Sequence, residues 1–381
     1  MTEAETPVGL YVHVPFCVAK CTYCHFAIDP RRPDAERQDR YRRALELEIA
    51  EAEPGEADTI YFGGGTPSLM SASRLQSVVD ALRRRFRLDP ASEVTVEANP
   101  GDLDRAGYRE LIAVGANRLS LGVQSLDDAV LREMGRLHSA RDSQRAVEEA
   151  RRAGFANVSI DLILGWPHET GERWRATLEG LLALAPDHVS LYLLEVEGKT
   201  ALDHRARRGR VALPDDDLVA DLYHETVEVL SARGIRRYEI SNFARVGFES
   251  RHNLKYWEDA PFLGFGMSAH SYRGGRRWWN HEPYAVYCRA VETSGGRAAV
   301  AGERRLAPRE RAGEALFTAL RRREGVELAT FRRRYGFDPA HEHALAIREA
   351  VAAGLLEAAG GRLRLTERGV LLSNEVFRAF V

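Results

Sequence analysis

Cys17-Val-Ala-Lys-Cys21-Thr-Tyr-Cys24 decides how the rest of this chain reads. Three of its four cysteines fall in this one stretch, directly after an apolar run, Gly9 to Val14, that Pro15 ends. Thiolates are soft ligands that suit iron–sulfur clusters, zinc or Cu(I). Three of them on one loop can hold three corners of a 4Fe–4S cubane and leave one iron open to another ligand. Electron-transfer clusters and structural zinc sites use four protein ligands. A triplet with a vacancy therefore points to chemistry or exchange at the metal. The residues leave a second option open, a zinc knuckle of Cys17, Cys21, Cys24 and His25. The adjacency of Cys24 and His25 strains a tetrahedral site without forbidding it.

Composition narrows the class. The chain has 381 residues, enough for two or three domains, with 44% hydrophobic and 29% charged residues, as in a soluble globular protein. A formal charge of −2 gives no basic field for nucleic acid. The arginine runs Arg83–Arg85, Arg321–Arg323 and Arg332–Arg334 sit among acidic residues in helical patterns, which reads as solvated helix faces. Met1–Pro7 is short and acidic, unlike a signal peptide. No apolar run approaches the ~20 residues of a membrane span. One cysteine cluster and a lone Cys288 make no disulfide framework, so a reducing cytoplasm is expected.

Through residue 194 short apolar runs alternate with amphipathic stretches. The runs are Gly9–Val14, Thr59–Phe62, Glu93–Glu97, Arg118–Leu121, Val158–Leu164 and His188–Leu194. Helical patterns such as Asp34–Glu53, Ser71–Phe86, Leu103–Val114 and Ser139–Ala153 lie between most of them. Such alternation predicts a parallel sheet with crossover helices, doubly wound or an open (β/α)6 barrel. Polar residues favour the barrel, whose site lies at the C-terminal strand ends. The cysteine loop follows run one, Gly63-Gly-Gly-Thr-Pro67 run two, Gln124 run four and Glu195 run six; Glu97 ends run three and Asp161 interrupts run five. The glycine triplet lets backbone approach a ligand closely, and no Gly-Lys-Ser/Thr follows to make it a phosphate loop.

The spacing C-x3-C-x2-C, with Tyr23 before the last cysteine, resembles the signature of the radical S-adenosylmethionine (SAM) superfamily. That resemblance implies a 4Fe–4S cluster whose open iron takes the amine and carboxylate of SAM, and reductive cleavage to a 5′-deoxyadenosyl radical. Further segments narrow the branch: Tyr11-Val-His-Val-Pro-Phe-Cys17, Tyr61-Phe-Gly-Gly-Gly-Thr-Pro-Ser68, Val96-Glu-Ala-Asn-Pro100, Asn117-Arg-Leu-Ser-Leu-Gly-Val-Gln-Ser125, Gly135-Arg-Leu-His-Ser139, Asp161-Leu-Ile-Leu-Gly-Trp-Pro167 and Tyr238-Glu-Ile-Ser-Asn-Phe-Ala244. They resemble the oxygen-independent coproporphyrinogen III oxidases and their haem-chaperone relatives (HemW-like) from about residue 9 to the C-terminus.

The resemblance implies roles for individual residues. Cys17, Cys21 and Cys24 ligate the cluster, with Tyr11 and Tyr23 against cluster and SAM. Gly64, Gly65 and Thr66 hold the methionine moiety, Glu97, Gln124 and Asp161 make polar contacts to SAM, and Arg136 pairs with a carboxylate. Taken singly, Glu97, Gln124 and Asp161 also read as ordinary polar strand ends. Two departures separate the chain from the oxidases. Phe26 stands where they carry a further cysteine, and only ten residues precede Tyr11, too few for their N-terminal lid. Both features match the chaperone branch, although His25 stands where that branch usually has Asp.

Ala201–Arg210 reads as a charged loop and Asp215–Arg233 as a helix. His252-Asn-Leu-Lys-Tyr256-Trp257 resembles the haem-binding HNxxYW motif of the chaperones. Histidine is a common axial haem ligand, and Tyr and Trp offer flat apolar surface; the same residues could equally be a packed joint. The glycine-rich stretch Phe262–Ser271 reads as a strand and loop under the site, and its His270 is a further candidate ligand. Helices at Ala307–Leu320, Leu328–Tyr335 and His341–Ala353, a hairpin of Leu355–Ala358 and Leu363–Leu365, and a last helix ending near Phe380 suggest a winged helix whose wing lacks a basic cluster.

The expected architecture is α/β: a partial (β/α)6 TIM-type barrel over residues 1–210, an extension and joint over 211–303, and a mainly helical, winged-helix-like domain over 304–381. The expected function is a cytoplasmic haem chaperone with a 4Fe–4S cluster, SAM and haem as cofactors. It would pass haem to acceptor haemoproteins and draw electrons from a donor such as flavodoxin or ferredoxin, with no nucleic acid and no integral membrane segment. The alternatives are oxidative decarboxylation of coproporphyrinogen III and radical methyl transfer to haem.

Overall fold

The computed structural model describes residues 6–29, 31, 33–196 and 200–380; most of Met1–Pro7 lies outside them. The chain begins with β1 (Val8–Val14), α1 (Ala35–Glu51), β2 (Gly55–Gly64), α2 (Ala72–Arg85), β3 (Phe86–Ala98), α3 (Arg105–Val114) and β4 (Arg118–Gln124). Then come α4 (Asp128–Met134), α5 (Ala140–Ala153), β5 (Asn157–Leu164), α6 (Gly171–Ala183) and β6 (His188–Leu193). β1 to β6 pair in sequence order, every pair parallel. This is the six-stranded partial barrel the alternation predicts.

Helix starts follow local chemistry. Asp34, Asp104 and Asp127 accept backbone N–H bonds at the N-termini of α1, α3 and α4, and Ser139 with Asp142 forms a capping box on α5. The strands alternate with a period of two, so their faces separate cleanly. Leu10, Val12, Ile60, Phe62, Val96, Leu119, Leu121, Ile160, Leu162 and Leu191 are fully buried in one core. Leu45, Ile49, Leu75, Leu82, Leu111 and Leu181 of the surrounding helices join that core. Each such side chain contributes ~1.5–3 kcal/mol by leaving water. The alternate positions turn inward and are polar: Tyr11 and His13, Thr59 and Tyr61, Glu93, Thr95 and Glu97, Arg118 and Ser120, Ser159 and Asp161, His188 and Ser190. The barrel is thus apolar outside its wall and polar within its lumen.

Past β6 the chain forms α7 (Ala201–Arg207), α8 (Asp216–Ala232), β7 (Arg236–Arg237), β8 (Asn242–Ala244), α9 (Arg251–Trp257), β9 (Phe262–Phe265), β10 (His270–Arg273), β11 (Arg276–Asn280), α10 (Tyr284–Ser294) and β12 (Val300–Arg305). Among the described residues β6 does not close on β1: β6 pairs antiparallel with β8, and β1 pairs parallel with β9. The sheet therefore extends on both flanks to twelve strands. Ala201–Arg210, expected as a loop, contains α7. Thr200 caps it, and Leu202 is buried in a small core with Trp166 and Met134. Packing there overrides the charged composition.

The remainder has its own core, built on Leu316, Leu320, Phe331, Ile347, Leu356, Leu363 and Phe377. It comprises α11 (Pro308–Leu320), β13 (Val326–Glu327), α12 (Leu328–Tyr335), α13 (Pro339–Glu342), α14 (Ala344–Ala352), β14 (Leu356–Ala359), β15 (Arg362–Leu365), α15 (Glu367–Leu371) and α16 (Ser373–Phe377). The helix expected over His341–Ala353 breaks at His343, whose ring packs on Phe337 and Phe380. The expected hairpin gains β13 as a third strand. Arg321 departs from the solvated face expected of its run, because its guanidinium lies over the Trp257 ring, 4.4 Å from the centroid.

Candidate functional site

The cysteine loop leaves β1 at the C-terminal mouth of the barrel. Backbone bonds hold it: Asp29 N–H donates to Pro15 O at 2.8 Å, Thr22 N–H to Met134 O at 3.0 Å and Leu202 N–H to Thr22 O at 2.8 Å. Cys17, Cys21 and Cys24 are free thiols, each half-buried. Among the described residues no three His, Cys, Asp or Glu side chains converge tightly enough to hold one metal ion. His25 is exposed and its ring lies against Phe26. Burial pushes the Cys17 thiol up to about 11 and raises that of Cys24. A bound metal reverses such a shift by deprotonating its thiols.

Three groups frame the thiols. Thr66 Oγ1 lies 3.7 Å from Cys17 Sγ and accepts from Asn99 Nδ2 at 3.1 Å. Arg136 donates to Cys21 Sγ at 3.5 Å and to Gly122 O at 2.7 Å, and also to Asn99 Oδ1. Tyr23 packs edge-on against Trp166, 5.9 Å between centroids. The glycine turn is next. Gly64 has φ +113°, a conformation that favours glycine, and donates to Glu97 Oε2 at 3.2 Å. A Cβ on Gly65 would stand 2.7 Å from Phe16 O, so backbone of the turn and of the cysteine loop touch there.

Below this turn Glu97 is the polar centre. It accepts from Tyr61 OH at 2.7 Å, and burial lifts its carboxyl to about 7. Asp161 accepts from Ser120 Oγ at 3.1 Å and is raised by the same cause. Gln124 closes β4 with φ +66°, which turns the strand end over the mouth. Tyr11 stacks on Tyr61 at 6.1 Å and shares a hydrogen bond with His13 Nδ1 at 3.1 Å. The structure therefore gathers Cys17, Cys21, Cys24, Tyr11, Tyr23, Gly64, Gly65, Thr66, Glu97, Gln124, Arg136 and Asp161 around one mouth.

The HNxxYW residues sit elsewhere, at the N-terminal end of the lumen. Backbone N–H groups of Arg251 and His252 donate to Glu93 at 3.0 and 3.1 Å. His252 is buried; Nδ1 shares a hydrogen bond with Thr59 Oγ1 at 2.8 Å and Nε2 one with Tyr256 OH at 2.9 Å. Both ring nitrogens are thus engaged, and burial lowers the imidazole to about 3. Iron ligation by His252 requires one of these bonds to open. The ring still reaches the site, since its centroid is 5.2 Å from that of Tyr61, whose hydroxyl holds Glu97. His270 stands apart, exposed on β10 against Trp279.

Some lining groups escaped the sequence reading. His13 Nε2–H donates to Ala27 O, 2.7 Å away, and braces the loop; its alternation with Tyr11 was the available signal. Asn99 lay in a quoted motif without a role. Arg118 is 1% exposed inside the lumen, and its Nε and Nη1 have no hydrogen-bond partner.

Family models match this arrangement on both halves of the chain: the Radical SAM superfamily over residues 11–181 and the HemN C-terminal domain over residues 306–372. Heme chaperone HemW of Mycobacterium tuberculosis is 39% identical over 380 residues, 98% of this chain and 95% of that protein. The chain belongs to the HemW family of radical SAM proteins. Heme chaperone HemW of Bacillus subtilis is 36% identical, covering 97% of this chain and 98% of that one. The solved structure of coproporphyrinogen III oxidase (HemN) from Escherichia coli, a radical SAM enzyme, superposes with a TM-score of 0.86 at 24% identity. It covers 99% of this chain and 90% of its own, and establishes the common fold.

Proposed function

We propose that this protein is a haem chaperone that binds haem and delivers it to haemoproteins, with a 4Fe–4S cluster and SAM at the barrel mouth. The observation that carries the reading is the three-thiol loop with Arg136 on Cys21 and Thr66 on Cys17, backed by a turn whose glycines leave no room for side chains. Soft donors without a fourth protein thiol fit a cluster with one exchangeable iron. Cys17, Cys21 and Cys24 would hold it; Gly64, Gly65, Thr66, Glu97, Gln124, Arg136 and Asp161 would hold SAM, and Tyr11 and Tyr23 would pack against both. When bound, the pair supplies one-electron chemistry at the sulfonium. The protein's own contribution is placement: Arg136 offers a guanidinium for a carboxylate, and Glu97 offers an acceptor already ordered by Tyr61 and Gly64.

Haem would occupy the lumen side that carries His252, Tyr256 and Trp257. Full-length relatives named haem chaperone support this reading over porphyrinogen oxidation, as does apolar Phe26, 59% exposed, in place of a fourth loop cysteine. A cytoplasmic site, an external one-electron donor and the absence of nucleic acid partners belong to the same proposal. Among the described residues no helix is long and apolar enough to cross a membrane.

Anaerobically purified protein should be brown and carry about four irons, whereas Cys21→Ser should be colourless. Zinc in place of iron would reject the cluster. Haem added to the loaded protein should bind and transfer to an apo-haemoprotein. Stoichiometric conversion of coproporphyrinogen III to protoporphyrinogen would reject the chaperone.

A further inference from the structure

The C-terminal unit brings Arg321 beside the HNxxYW helix. Arg321 follows α11 directly and lies flat over Trp257 of α9. Its side chain is 25% exposed, and the carboxylate it faces, Glu239 Oε2, is 3.9 Å away, beyond hydrogen-bond length. Arg321 Nε is buried without a hydrogen-bond partner, and so are Glu239 Oε2 and Trp257 Nε1. Glu239 spends its other oxygen on Ser241 N–H at 3.0 Å and on Asn242. Arg321 thus lies between two groups, the Trp257 ring and the Glu239 carboxylate, each with a polar atom lacking a hydrogen-bond partner. Buried polar groups in folded proteins are otherwise nearly always partnered.

The surroundings indicate what fits. A guanidinium stacked on an indole forms a platform for a flat, apolar body that carries a carboxylate. Tyr256 and Phe262 continue the aromatic surface, their centroids 4.7 Å apart. Tyr192 of β6, 46% exposed, senses the charge of Glu239 from the barrel wall. Burial lowers the Arg321 pKa against the pull of Glu239 and Glu195, the mark of an under-compensated cation. Burial also raises the Glu239 carboxyl, against the lowering effect of Arg321.

Resting on the haem reading above, we propose that Arg321, stacked on Trp257, is the anchor for a propionate carboxylate of the bound tetrapyrrole. The C-terminal unit then contributes directly to ligand specificity. The Nε–H and one Nη–H form a fork that a carboxylate accepts through both oxygens. Removing such a charged pair costs a factor of about 10 to 100 in affinity.

The test titrates the full-length, cluster-loaded protein with haem and with haem dimethyl ester, in which both propionates are capped and the iron is unchanged. Wild type should prefer haem to the diester. Arg321→Gln should lose about tenfold or more for haem and little for the diester, and Arg321→Lys should recover part of the loss. Cluster absorbance and SAM affinity should not move in either variant, which separates a lost contact from a disturbed fold. Equal weakening of both ligands, or none, overturns the assignment of Arg321 while the chaperone reading stands. Failure of wild type to bind haem at all overturns both.

Discussion

At the scale of single residues, burial decides which polar groups carry charge. His252 illustrates the sign. Its folded-state pKa is about 3, well below the free imidazole, so the folded protein binds fewer protons than the unfolded chain in between. The stability that depends on neutral His252 is present above about pH 6.5 and is lost as pH falls from there towards 3. By pH 5 about 2 kcal/mol of it should be gone. Urea unfolding at pH 7 and pH 5 measures this: His252→Gln should lose about 2 kcal/mol less than wild type across the interval. An equal loss would place His252 in a more open environment than its bonds to Thr59 and Tyr256 describe. Sequence alone could nominate this histidine from its motif but could not see that both nitrogens are spoken for. That depends on Thr59, nearly two hundred residues earlier in the chain.

Among elements, the joint between β1 and β2 governs the mouth. Gly65 N–H donates to Val14 O at 2.8 Å, and a side chain there would strike Phe16 O and Pro15. Gly65→Ala should therefore push the glycine turn off the cysteine loop and cost about 2–4 kcal/mol. Thermal unfolding should show a drop in Tm, and SAM affinity should fall in the protein that remains folded. A variant with normal Tm and SAM binding would mean the two loops move independently. The run Gly63-Gly64-Gly65 announced a close approach in sequence, and the alternation of short apolar runs with amphipathic stretches located all six barrel strands. What sequence could not supply was α7. Its one large apolar residue is Leu202, and it exists because that side chain fills a pocket beside Trp166. Of the flanking strands, β9 was legible in the glycine-rich stretch from Phe262, whereas β7, β8, β10, β11 and β12 were hidden, since most are only two to five residues long and exist by pairing.

For the whole molecule, one carboxylate among those that join the open side of the barrel to the C-terminal unit gathers several donors. Asp259 accepts from Tyr335 OH at 2.8 Å, Arg311 Nη2 at 2.9 Å and Arg334 Nη2 at 3.4 Å, and also from Tyr272 OH. Its side chain is 8% exposed, so the loss of that one carboxylate strands several donors together. Asp259→Ala should cost about 3–5 kcal/mol. Limited proteolysis should then cut first around the junction of β12 and α11, releasing a barrel fragment. Simultaneous digestion of both halves would show that they unfold as one. The reading of residues 304–381 as a mainly helical unit with a small wing survived. The position of Arg321 did not, because a run of three arginines looks the same whether its first member points into water or onto an indole.

The backbone ties around the cysteine loop have a practical corollary. Pro15, Met134 and Thr22 carbonyls secure that loop to β1, α4 and α7 without help from any thiol. The cradle should outlast its inorganic contents. Oxidative stripping of the iron ought to leave a folded, refillable receptacle, and incubation with ferrous iron, sulfide and thiol should restore the colour with no change in far-ultraviolet circular dichroism. Metal loss would then be a reversible injury to this protein, mended in place without resynthesis.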